Sequence, residues 1–215
     1  MSKFLKVVGI GCGGCLVLIV ACILIAYVML PDTTHVERQR VIDAPIEVVF
    51  PLVDTVQTWE KWDPWNQLDP NMDHVYEGPP AGVGAISRWS SEDWQVGVGW
   101  TEITESVTGQ LIVFDLHMTE EEMYGVGTFT FTPVDDGVQV KWAYDADLTN
   151  FSSKMFGPFM DQMLGAQFDI GLKNLEQLAE TRAAEMSGDA MPVEELKEAV
   201  EQAVDAIESA TGDGE

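Results

Sequence analysis

The sequence predicts an α+β domain, an antiparallel sheet wrapped around one long C-terminal helix, behind a single N-terminal transmembrane helix. Three observations predict it. Val7 to Leu30 runs 24 residues without a charge. Residues 73–147 break into short alternating runs punctuated by glycines. From Phe151 to Met186 the apolar period changes to that of a helix.

The uncharged run is long enough to cross a bilayer. At about 1.5 Å per residue it extends about 36 Å, against a hydrocarbon core of about 30 Å. Lys3 and Lys6 lie in the preceding tail (1–6), and Pro31 and Asp32 end the run in a short linker, 31–35. A basic flank stays in the cytoplasm, so residues 7–30 read as an uncleaved anchor that leaves the following domain on the non-cytoplasmic side. A cleaved leader would be shorter and end in a small-x-small site. Ile19-Val20-Ala21-Cys22 looks like a lipobox, but eight more uncharged residues follow it. All three cysteines lie inside the run, so the domain beyond it has no thiol for a disulfide, a nucleophile or a metal. Gly9 and Gly13 would permit close helix pairing, though a merely glycine-rich segment accounts for them better.

The formal net charge of −25 is an average over two unlike parts. Residues 31–215 carry nine bases against 36 acids, a net of −27. That excludes nucleic acid as a partner, because phosphate contacts need clustered Lys and Arg. It also argues against adsorption of this part on anionic lipid. Seven Trp and nine Phe supply a core, which argues against disorder.

The elements follow in order. Residues 35–44 read as a strand, and Ala44-Pro45 opens a helix carrying Val48, Val49, Leu52 and Val53 on one stripe. WEKWDPWNQLDP at 59–70 is turn-rich. Six strand-like runs come next, at 73–78, 84–91, 95–107, 110–118, 124–133 and 138–147. The cleanest alternations are Val138, Val140, Trp142, Tyr144 and Ile112, Phe114, Leu116, Met118, both typical of half-buried antiparallel strands. Asp136-Gly137 marks a hairpin turn. The Gly-x-Gly pairs at 82–84, 97–99 and 125–127 read as bulges or bends. On the long helix Gly157, Leu164, Gly165, Phe168, Leu172 and Leu175 share one face, and the glycines read as close packing against the sheet. Beyond a linker at 187–192, residues 193–209 form a short amphipathic helix in an acidic tail, 187–215.

These residues resemble a known superfamily. The elements that carry the likeness are VIDAPIEVVFPLV at 41–53, WEKWDPW at 59–65, YEGPPAGVGAISRW at 76–89, GVGWTEITE at 97–105, the 128–142 hairpin and GPFMDQMLGAQFDIGLKNL at 157–175. Together, over 36–186, they are similar to the SRPBCC superfamily of START-like, polyketide cyclase/dehydrase and lipid-transport type. The resemblance implies the helix-grip fold, with a cavity for an apolar or amphipathic small molecule between sheet and helix. It implies no reaction.

Candidate residues come from phase and alternation. Asp161 lies about 20° from Phe168 at about 100° per residue, so it falls on the stripe facing the sheet. A carboxylate there must find hydrogen bonds or shift its pKa. It reads either as the polar anchor or acid/base for a ligand, or as a fixed partner of a loop amide or a Trp N–H. Trp89, Phe114, Trp142, Leu164 and Phe168 are the candidate cavity lining, since small-molecule sites are apolar walls with few polar groups. The three His show no metal spacing, His117 reads as solvent-side, and no cofactor fingerprint is present. Three functions are open: a membrane-anchored binder of a lipid, isoprenoid or aromatic metabolite; a scaffold that recruits a protein partner through 193–209; and a cyclase- or hydrolase-type enzyme using Asp161. The first leads, and the reading favours no catalysis.

Overall fold

The computed structural model describes residues 27, 29–119 and 123–188. The anchor segment 7–30 lies almost wholly outside these, as do the 193–209 helix and most of the tail. Among the described residues no helix is long and apolar enough to cross a membrane.

Seven antiparallel strands form one sheet: β1 Thr33–Ile42, β2 Asp73–Glu77, β3 Ile86–Ser90, β4 Val98–Val107, β5 Leu111–Met118, β6 Met123–Val134 and β7 Gly137–Asp147. Their spatial order is β1-β7-β6-β5-β4-β3-β2. Everything from β2 to β7 therefore pairs with its chain neighbour, and β1 closes the far edge beside β7. Between β1 and β2 lie helix α1 (Ile46–Asp54), a 3-10 turn (Val56–Lys61) and helix α2 (Pro64–Leu68). The long helix α3 runs Phe151–Ser187. This is the helix-grip arrangement, and the expected strands are found within a few residues of their predicted ends.

Local chemistry sets the punctuation. Asn150 caps α3 reciprocally: its Oδ1 accepts from the Ser153 N–H at 2.8 Å, while the Ser153 Oγ accepts from the Asn150 N–H at 3.1 Å. Gly188 ends the helix in the left-handed region (φ 76°). In the β6–β7 hairpin Gly137 holds φ 125°, where a side chain would also strike the Ile42 carbonyl.

Helix α3 lies along β1 as well as across the sheet. Arg40 Nε donates to Glu176 at 2.7 Å, and Asn174 Nδ2 donates to the Trp62 carbonyl at 3.0 Å, which ties the 3-10 turn region to the helix. The three helix glycines are packing positions, as expected. A Cβ at Gly157 would meet Leu148, at Gly165 the Arg38 guanidinium, and at Gly171 the Trp142 ring and Pro64.

Three strand glycines correct the sequence reading. Gly99, Gly125 and Gly127 sit in unbroken ladder register, not at bulges. Each lies under an aromatic ring: Trp89 over Gly99, Tyr144 over Gly125, Phe114 over Gly127. A bare backbone there lets the ring of a neighbouring strand lie flat on the sheet.

Candidate functional site

The face of the sheet toward α3 has two zones. The central zone is filled. Trp142 stacks on Phe168 with ring centroids 4.1 Å apart and planes within 9°. Phe129 lies 4.9 Å from Trp142, and Trp62 meets both edge-on. Trp59 closes on Phe114 at 5.1 Å. Phe114, Trp142 and Phe168 are buried. These three predicted lining residues therefore pack against one another and their neighbours, and the helix grips side chains at this level. Trp62 is completely buried, and its Nε1 donates to the Leu52 carbonyl at 2.9 Å, so the indole has no free donor.

The second zone lies at the end of the sheet where β7 passes into α3. Register places one transverse row there: Ala146 opposite Gly125, Gly125 opposite Leu116, Leu116 opposite Thr101, Thr101 opposite Ser87, and Ser87 opposite Tyr76. Directly opposed residues in a ladder share a face. The Tyr144 hydroxyl joins this row, because it lies where a Gly125 Cβ would be. Four hydroxyls thus cross the inner face, interrupted only by Leu116. Ser87, Thr101 and Tyr144 are buried. Among the described residues, Thr101 Oγ1 and the Tyr144 hydroxyl have no hydrogen-bond partner. With strands about 4.8 Å apart, the two stand about 10 Å from each other across the row.

Leaving such groups unpaired costs roughly 1–3 kcal/mol each. Burial pushes the Tyr144 phenol up to about 12, so it stays a neutral donor and acceptor. Tyr76, at the edge of the row, donates to Glu60. Burial first, and then Glu60, hold its phenol well above the ordinary value. Leu116, within the row, is half-buried and packs against the core, as do Trp59, Trp65, Met160 and Leu164 elsewhere on it. Of the predicted lining residues, Leu164 and Trp89 are the two that are only half-buried, and Trp89 stands two residues along β3 from Ser87. The Trp89 indole donates to the Val96 carbonyl at 3.3 Å, and its ring covers Gly99.

Asp161 requires correction. It does point toward the sheet, but through Arg38 of β1 at the rim. Arg38 Nη1 donates to its Oδ1 at 2.9 Å, and the Asp161 side chain is 63% exposed. The guanidinium holds the carboxyl below its ordinary value. Its partner is neither a loop amide nor a Trp N–H, and among the described residues it is this rim guanidinium, not a group inside the fold, that it meets. Asp169 approaches the same guanidinium at 3.4 Å.

A further polar cluster flanks the row. Asp63 caps α2, accepting from the Trp65 N–H at 3.4 Å and from Asn66 Nδ2 at 3.1 Å. Asn66 Oδ1 contacts His74 Nε2 at 2.8 Å, and the His74 ring stacks on Tyr76. Desolvation beside the tryptophans pushes the Asp63 carboxyl up to about 7, against the lowering effect of its two donors. Water still reaches part of this residue. His117 lies on the face opposite Phe114, but half-buried rather than at the solvent, stacked on Trp100 with centroids 5.5 Å apart. No group of residues able to hold a metal occurs among the described residues. A depression of about 430 Å³ at the opposite end of β6 and β7 is lined by Asp43, Ile46, Asp135 and Asp136. It is open and holds no unpartnered buried polar atom, so the hydroxyl row is the stronger site.

The row was missed by sequence reasoning because its members come from four strands. The one signal available was Tyr144, which shares the inward phase of Trp142.

Comparison with known proteins agrees with this architecture. A family described as polyketide cyclase / dehydrase and lipid transport matches residues 33–180. A search of curated sequences finds no match. Among solved structures, an uncharacterized protein from Rhizobium leguminosarum is 16% identical with a TM-score of 0.53, covering 69% of this chain and 95% of that one. The di-domain ARO/CYC StfQ of the steffimycin biosynthetic pathway is 14% identical with a TM-score of 0.55, covering 71% of this chain and 52% of that one. A Thalictrum norcoclaurine synthase point mutant, in complex with a transition-state analogue, is 12% identical with a TM-score of 0.54, covering 68% and 94%. At these identities the likeness is one of fold.

Proposed function

The chain belongs to the polyketide cyclase/dehydrase and lipid-transport family, and on that premise we propose that it is a membrane-anchored binding module for an amphipathic small molecule. The observation that carries this reading is the pair of buried hydroxyls, Thr101 and Tyr144, that have no partner among the described residues. A fold retains such groups at a cost, and a ligand whose polar end bonds to them removes it. The apolar part of the ligand lies against Leu116, Leu164 and Trp89. The filled centre limits its depth, so a flat or short molecule fits better than a fully swallowed chain.

Residues 7–30 supply the anchor, with the basic tail in the cytoplasm and the acidic domain outside it. The net charge of −27 beyond the anchor favours a neutral or cationic ligand over an anionic one. Asp161 is no part of this site, and the reading involves no catalysis. Extraction of the purified full chain with chloroform–methanol, followed by mass spectrometry of the extract, tests it. One apolar compound enriched near one equivalent per chain is the expected result. An extract that matches that of an unrelated anchored protein contradicts it.

A second reading rests on the packed Trp142–Phe168 centre. A domain filled by its own side chains is suited to scaffolding, with 193–209 recruiting a protein. Pull-downs with and without residues 187–215 separate the two.

A further inference from the structure

Helix α3 is apolar on two opposite faces over its first half. Its buried face carries Gly157, Gly165, Phe168, Leu172 and Leu175. On the other side Phe151, Met155, Phe156, Phe159 and Met163 are all exposed. At about 100° per residue these five fall within an arc of about 140°, centred opposite the buried stripe. The remaining residues in that arc up to Phe168 are Ser152, Gln162 and Ala166, so the strip carries no charge over that length. In a chain with 36 acids an uncharged aromatic and Met surface of this length is a departure that core packing does not explain.

The strip has a neighbour that says what covers it. Tyr27, within the uncharged 7–30 run, stacks on Phe151 with ring centroids 6.0 Å apart. Lys154 stands 4.7 Å over the same Tyr27 ring and pairs with Asp32, just past the end of the run. The backbone fastens this corner too, through the Leu148 N–H to the Asp32 carbonyl at 2.7 Å. If 7–30 spans a bilayer, Tyr27 stands at its outer boundary, and Phe151 stands there with it. From Phe151 to Met163 the helix advances about 18 Å, and one uncharged face over that length suits a helix lying in the interface.

We propose that the strip Phe151, Met155, Phe156, Phe159 and Met163 is a bilayer-docking surface, immersed at the boundary between headgroups and acyl chains of the outer leaflet. The inference rests on the anchor reading given above and adds an orientation to it. The hydroxyl row lies at the same end of the sheet, where β7 enters α3, so docking brings it close to lipid. An amphipathic ligand then exchanges with the bilayer without crossing water.

The test uses the full chain in phosphatidylcholine vesicles, with Cys12, Cys15 and Cys22 changed to Ala. An NBD fluorophore is placed through Phe159→Cys or, independently, Met163→Cys, with Thr132→Cys on the exposed outer side of β6 as control. Vesicle flotation reports the anchor, and quenching by doxyl-labelled phosphatidylcholine reports docking. The expected result is flotation, with blue-shifted emission and loss of NBD signal at 159 and 163 and no loss at 132. Flotation with unquenched, water-like emission at both α3 positions overturns docking and leaves the anchor standing. A chain that fails to float overturns the anchor and docking with it. The two α3 sites are separate variants, so misfolding of one leaves the other to decide.

Discussion

Arg38 lies directly over Gly165 of α3 and donates to Asp161 at 2.9 Å. The pair turns the most conspicuous carboxylate of the helix into a rim clasp between β1 and α3. Solvent screens exposed pairs of this kind, so the clasp adds little to stability. A Cβ at position 165 would come within 2.0 Å of Arg38 Nη2. The guanidinium is the free end of a flexible side chain and can swing outward. Gly165→Ala therefore trades a weak clasp for about 1 kcal/mol of helix propensity. Denaturant melts should show a change within about 1 kcal/mol, and Asp161→Asn should leave bound-compound content unchanged.

Gly127→Ala behaves differently. Its Cβ would sit 2.0 Å from the Phe114 ring, which is buried against Trp59 and Phe129 and has nowhere to go. Overpacking of this kind costs about 1–3 kcal/mol. The same melts should place Gly127→Ala well below Gly165→Ala in midpoint. Equal midpoints would mean that the aromatic layer is not the rigid element described.

Trp142→Ala probes the filled centre. It removes the ring shared by Phe168, Phe129 and Trp62 and leaves a void between helix and sheet. A loss of about 3–5 kcal/mol is expected in chemical denaturation. A mild loss would indicate space already present beside the ring.

Asp63 predicts a pH dependence with a definite sign. Its carboxyl rises from 3.8 to about 7 in the native state because burial disfavours its charge. Between those values the unfolded chain releases the proton first, so this group subtracts stability as pH rises through the window. Asp63→Asn keeps an acceptor for the Trp65 N–H and removes the titration. The melting temperature of the variant relative to the parent should climb from pH 4 to pH 8. A difference that is flat or falls with pH contradicts the assignment.

Much of the fold was legible because alternation and helical phase are local. The run at 138–147 is β7 almost residue for residue, and the Asp136-Gly137 turn sits where the hairpin closes. The 151–186 helix ends one residue later than predicted. What was not legible depends on partners far along the chain. Gly125 and Gly127 look like bends until Tyr144 and Phe114 are placed over them from adjacent strands. The phase of Asp161 was right, but Arg38, 123 residues earlier, decides that its carboxylate stays at the rim. Phe114, Trp142 and Phe168 point inward as predicted, yet whether inward means core or cavity is set by how Trp59 and Trp62 fill the middle. The hydroxyl row exists only through the register of six strands.

The row is the centre of the account, and Tyr144→Phe with Thr101→Val addresses it directly. Both changes delete a buried hydroxyl that has no partner and preserve shape, so the empty protein should be as stable as the parent or up to about 1–3 kcal/mol more so. Native mass spectrometry of the full chain, parent against double variant, is the deciding measurement. The parent should carry a non-covalent small-molecule adduct, and the double variant should lose it while remaining folded. An adduct of equal occupancy on both, or on neither, contradicts a site built on these two hydroxyls.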